Sequence, residues 1–92
     1  MYIAEWDWRD EDIEHMARHG VHPAIVLEVW REQPKYRRNR KGRAASHQMI
    51  GPDRGGMFFA IFIMQDEVVT GLWRAITGRH AVAAERAWWE RS

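Results

Sequence analysis

Ile13, Met16 and Ala17 stand at the i, i+3, i+4 spacing of one helical face, within the stretch WDWRDEDIEHMARHG. This predicts a helix over residues 6–20, with Asp7 or Asp10 placed to cap it and acids crowding the first turn, where the helix dipole favours them. Arg18 and His19 fall in the last turn and Gly20 stops it. A second helix starts at Pro23, buries Ile25, Val26, Val29 and Trp30, and ends before Pro34. From Lys35 the period shortens to that of strands. Residues 35–39 and 43–50 are expected to pair as a hairpin about Arg40, Lys41 and Gly42. GPDRGG is a turn, leading to a strand over 57–65, a turn at Asp66–Glu67 and a strand over 68–76. MFFAIFIM is apolar on both faces, which predicts a central strand. RHAVAAERAWWERS closes the chain as a helix with Val82 and Trp89 on one face, and residues 2–5 can add a short strand. The expected class is α+β, a single domain over residues 1–92. It comprises two N-terminal helices, an antiparallel sheet of about four strands and one C-terminal helix.

Composition narrows the chemistry. The chain of 92 residues has no cysteine, which excludes a disulfide framework, a zinc ribbon and a thiol nucleophile. The longest apolar run has eight residues, against about 20 for a membrane helix. The N-terminus is acidic and so unlike a signal peptide. A soluble, cytoplasmic domain without membrane contact is expected. Six tryptophans serve first to give a small core enough buried area.

Charge is divided unevenly. The first fourteen residues hold six carboxylates against Arg9 alone, a net −5, and since the chain totals +1 the rest carries +6. That excess gathers in KYRRNRKGR, residues 35–43, with six cations in nine positions. A hairpin bend tolerates such charge, and edge lysines and arginines discourage strand aggregation. Lys35, Arg37, Arg38, Arg40 and Lys41 together exceed that need and make a candidate surface for a polyanion, which would be RNA on the resemblance described next.

Several pieces then follow in a telling order: Trp6-Asp7, Arg18-His19-Gly20-Val21, Arg43, Ile50-Gly51, Arg74-Ala75-Ile76-Thr77-Gly78-Arg79 and Glu85-Arg86. Across nearly the whole chain the set resembles the BrnT toxins, small relatives of the RelE ribonucleases. The resemblance implies a RelE-like fold, metal-independent RNA cleavage, and silencing by an antitoxin protein. The chain departs from the family pattern at His15 (usually asparagine), at His80 (usually lysine), at Val82 (usually threonine) and at Trp89 (usually tyrosine). With Val82 in the capping position, Thr77 becomes the candidate cap of the last helix.

Cleavage through the 2′-hydroxyl needs a base, an acid and cations for the charge that grows on phosphorus oxygens. Arginine fills only the last role, because it keeps its proton. Arg43, Arg74 and Arg79 are therefore a candidate phosphate clamp, if the sheet gathers them on one open face; otherwise they are solvated strand-end charges. Proton transfer points to histidine. His19 matches the family's histidine–glycine pair and His80 replaces its lysine, while His47 is a lesser candidate. His15 and His19 stand at i, i+4, but no glutamate or cysteine joins them in a zinc-binding pattern, and no metal or other cofactor is expected.

Two functions fit these residues. One is the endoribonuclease toxin; the other is a non-catalytic RNA- or protein-binding module on the same fold. Trp88 and Trp89 cannot both face one core from a single helix, which hints at an interface with a partner or with a second copy as a homodimer.

Overall fold

A computed structural model describes all 92 residues. The elements run β1 (Glu5–Trp6), α1 (Asp10–Ala17), α2 (Pro23–Arg31), β2 (Lys35–Arg38), β3 (His47–Pro52), β4 (Phe58–Gln65), β5 (Leu72–His80) and α3 (Ala83–Arg91). The strands form one five-stranded sheet in the order β1-β5-β4-β3-β2. β2 to β5 are an antiparallel meander, as the spacing of apolar residues implied, and the doubly apolar β4 is the middle strand. The class is α+β. The expected sheet of four antiparallel strands is corrected to five strands in a mixed sheet, because β1 pairs with β5 in parallel.

That pairing also shortens the first helix. The amides of Ala4 and Glu5 donate to the Gly71 carbonyl and that of Asp7 to the Trp73 carbonyl, so residues up to Asp7 are held extended. α1 starts only at Asp10, with an acidic first turn. It ends through Gly20 at φ 76°, a left-handed conformation that only glycine adopts freely, and the Val21 amide returns to the Met16 carbonyl. Pro23 opens α2 as expected.

One face of the sheet carries the core. Met49, Phe59, Ile61, Ile63, Trp73 and Ala75 meet Met16 of α1, Val21, and Val26 and Val29 of α2. Burying each large side chain contributes about 1.5–3 kcal/mol before entropy is counted. α3 lies on the opposite face: Trp89 meets Phe58 edge-on at 4.9 Å, Trp88 lies under the Arg37 guanidinium, and Glu85 pairs with Arg79. Lys35 donates to the carbonyls of Trp89 and Ser92, joining β2 to the end of α3. Both adjacent tryptophans are half-buried. No helix is long and apolar enough to cross a membrane.

Three boundaries move for local reasons. The bend between β2 and β3 spans residues 39–46 rather than three residues. Asn39 Nδ2 donates to the Ala45 carbonyl and Gln48 Nε2 to Asn39 Oδ1, folding the loop onto the sheet with Ala45 buried. β5 runs to His80 rather than stopping at residue 76, and it starts at Leu72 rather than 68. The Asp66 carboxylate captures the amides of Val68 and Val69, turning that pair into a loop. α3 begins after Val82, whose amide donates to Glu85 Oε1 at 2.9 Å, so Thr77 lies within β5 and caps nothing.

Candidate nucleic-acid interface

Strand register builds a row across the face that α3 only partly covers. Arg37 stands opposite Gln48, Gln48 opposite Phe62, and Phe62 opposite Thr77. The next row runs Lys35, Ile50, Ala60, Arg79. Ile50 and Ala60 lie buried there, whereas the first row floors a cavity of about 610 Å³. The 39–46 loop forms one wall with Arg40 and Arg43, α3 contributes Glu85, and His19 stands at the rim beyond β5.

Four arginines line this cavity against one carboxylate. Arg37 Nε donates to Gln48 Oε1 at 2.7 Å and its guanidinium lies 4.8 Å from the Trp88 ring centroid. Arg79 grips Glu85 through two bonds, Nη1 to Oε1 at 2.7 Å and Nη2 to Oε2 at 2.8 Å. Burial alone would raise the Glu85 carboxyl. The hydrogen bonds from Arg79 and the Val82 amide, with the charges of Arg79 and Arg37, outweigh it and hold the carboxyl below its usual range. The bond to Glu85 likewise raises Arg79 above the ordinary arginine value. Arg40 and Arg43 form neither a side-chain hydrogen bond nor an ion pair, so both keep their full demand for an anion.

The three arginines expected to clamp one phosphate do not meet. Arg43 and Arg79 share the cavity, but Arg43 sits in the loop instead of opening a strand. Arg74 is five residues from Arg79 along β5, about 16 Å at the rise of a strand, and lines a separate hollow beside Asp7 and Arg9. Its Nε and Nη2 donate to the buried Asp12 carboxylate at 2.8 and 2.9 Å, with Glu11 3.7 Å away. This pairing raises Arg74 above its ordinary value and spends its charge on α1.

The histidines separate too. His19 lines the cavity. His80 ends β5 rather than starting α3, and its register opposite Phe59 places it on the helix-covered side, where its ring lies 4.7 Å from the Phe59 ring. His47 faces that side as well, against Trp73 at 5.6 Å. Burial and then the nearby Arg38 charge lower its pKa. His15 and His19 meet edge-on at 5.4 Å, and no group of three metal-ligating side chains forms anywhere in the chain.

Of the basic run, Arg37 and Arg40 reach the cavity with Arg43. Lys35 is committed to the end of α3, Arg38 alternates to the other face opposite His47, and Lys41 is exposed on the loop outside the cavity. Reasoning from the sequence missed Gln48, Asn39 and Phe62 at this site. Counting residues back from the GPDRGG turn pairs positions 48 and 62, so the row was recoverable only once the hairpin was trusted. No protein-family model matches the chain, and no curated protein matches it in sequence.

Proposed function

We propose that the protein is a metal-independent endoribonuclease of the toxin–antitoxin kind, binding the phosphate backbone of RNA in the arginine-lined cavity. The observation that carries this reading is the pair of unpartnered guanidiniums, Arg40 and Arg43, in a cavity already walled by Arg37 and Arg79. Guanidinium forks suit phosphate oxygens and stabilise the charge that develops there during cleavage. His19 is the one imidazole in the cavity lining, and imidazole is the side chain most often used for general acid–base catalysis. It takes the proton of the 2′-hydroxyl as that oxygen attacks phosphorus, and returns a proton to the departing 5′-oxygen, leaving a 2′,3′-cyclic phosphate. His80 has no part in this scheme, since it faces the other side of the sheet. The antitoxin carried by the resemblance would silence the protein by laying acidic side chains in the same cavity, and both would act in the cytoplasm.

Partner-free protein incubated with labelled RNA in a chelator tests the reading. Fragments with cyclic-phosphate ends are expected, and they should vanish in His19→Ala and in the Arg40→Ala/Arg43→Ala double variant. Intact RNA would overturn the enzyme.

A second reading, RNA binding without cleavage, is favoured by one observation. Arg79, the guanidinium that the resemblance assigns to the clamp, is already neutralised by Glu85. Tight binding without any fragments would select it.

A further inference from the structure

Phe62 is the only phenyl, phenol or indole ring in the cavity lining, and it stands half-buried on the middle strand. This phenylalanine lies outside the core cluster, on the floor of a cavity whose lining is mostly polar. Its close companion is Arg79, whose guanidinium carbon lies 5.3 Å from the ring centroid. Three of Arg79's five in-plane donors are already engaged: Nη1 and Nη2 on Glu85, and Nη1 again on the His80 carbonyl at 3.3 Å. With its terminal fork paired to a carboxylate, this guanidinium is a weaker claw for phosphate than the unpaired Arg40 and Arg43. Its flat face remains, in a fixed orientation, and its side chain is 41% exposed. Ring and guanidinium faces are the two surfaces on which unpaired nucleobases stack.

We infer that Phe62 and Arg79 form a stacking platform for one base of a single-stranded RNA, while Arg40 and Arg43 take the neighbouring phosphates. The inference rests on the RNA-binding reading above and narrows its substrate to unpaired strands. The cavity volume of about 610 Å³ falls within the range of about 300–1,000 Å³ typical of small-ligand sites, room enough for a nucleotide. Division of labour also accounts for the Arg79–Glu85 pair. Glu85 sacrifices the charge of Arg79 and fixes its plane, and the loop arginines supply the charge instead. A duplex offers no free base face and gains nothing from this platform.

The experiment uses the full chain and two labelled strands with 2′-O-methyl riboses, which cannot be cleaved: a short oligoadenosine, and the same backbone without bases. Binding is followed by fluorescence anisotropy. Wild type should prefer the base-bearing strand by about 5- to 100-fold, the span of base–aromatic stacking. Phe62→Leu should lose that preference, Phe62→Tyr should keep it, and all three proteins should bind the abasic strand alike. Equal, salt-sensitive affinity of wild type for both strands would overturn the platform and leave backbone binding intact. Failure to bind either strand would overturn both.

Discussion

The Arg79 guanidinium and the Glu85 carboxylate are joined by two hydrogen bonds of 2.7 and 2.8 Å across the junction of β5 and α3. The same carboxylate accepts the Val82 amide, so one side chain fixes an arginine of the cavity and the start of a helix. Because the Glu85 carboxyl lies below its usual range when folded, its contribution to stability is present above the unfolded carboxyl value near 4.3. It is lost as pH falls through the lower, folded value. Glu85→Gln should therefore destabilise the protein by about 1–2 kcal/mol at neutral pH, a modest figure because Arg79 is 41% exposed. Its urea midpoint should also fall less than that of wild type between about pH 5 and pH 3. Parallel pH profiles for the two proteins would contradict this role.

Arg74 separates stability from binding. Its removal strands the Asp12 carboxylate, whose side chain is 6% exposed, beneath α1. Arg74→Ala should cost about 2–4 kcal/mol in urea denaturation. Its affinity for single-stranded RNA should match that of wild type under conditions where both are folded. A selective loss of RNA binding would return Arg74 to the site.

Gly51 marks where the linker after α2 crosses β3. A Cβ there would lie 3.1 Å from the Pro34 Cα and 3.2 Å from the Gln33 carbonyl oxygen, both backbone atoms that cannot rotate aside. Gly51→Ala should destabilise by about 1–3 kcal/mol through overpacking, read as a lowered urea midpoint at constant slope. A neutral effect would mean that the linker packs less closely on the strand.

What could be read from the sequence followed from burial. β4 declared itself central because Phe59, Ile61 and Ile63 on one face and Ala60 on the other all needed cover. α2 was legible because Pro23 and the spacing of Val26 and Val29 agree. What was missed depends on single hydrogen bonds or on distant pairing. Val68 and Val69 look like strand residues, yet Asp66 holds their amides in a loop and Val68 is 89% exposed. β1 is two residues long, too short to show alternation, and exists only because β5 offers it a parallel edge. At the candidate site, Arg43 and Arg79 do share the cavity, one from the 39–46 loop and the other from β5. Arg74 misled because its partner Asp12 stands 62 residues earlier, and nothing local reveals the pair. His80 misled because the boundary between β5 and α3 is set by Glu85 reaching back to Val82.

The most direct measurement is the affinity of wild type for a labelled, uncleavable single-stranded RNA across a salt series, beside Arg40→Ala/Arg43→Ala. Phosphate contacts from Arg37, Arg40 and Arg43 predict a slope of log affinity against log salt of about −2, at roughly 0.7 per contact on a single strand. The double variant should fall to about −0.7 and bind weakly. A wild-type slope near zero, or a slope the double variant leaves unchanged, would contradict the claim that this cavity holds the RNA backbone.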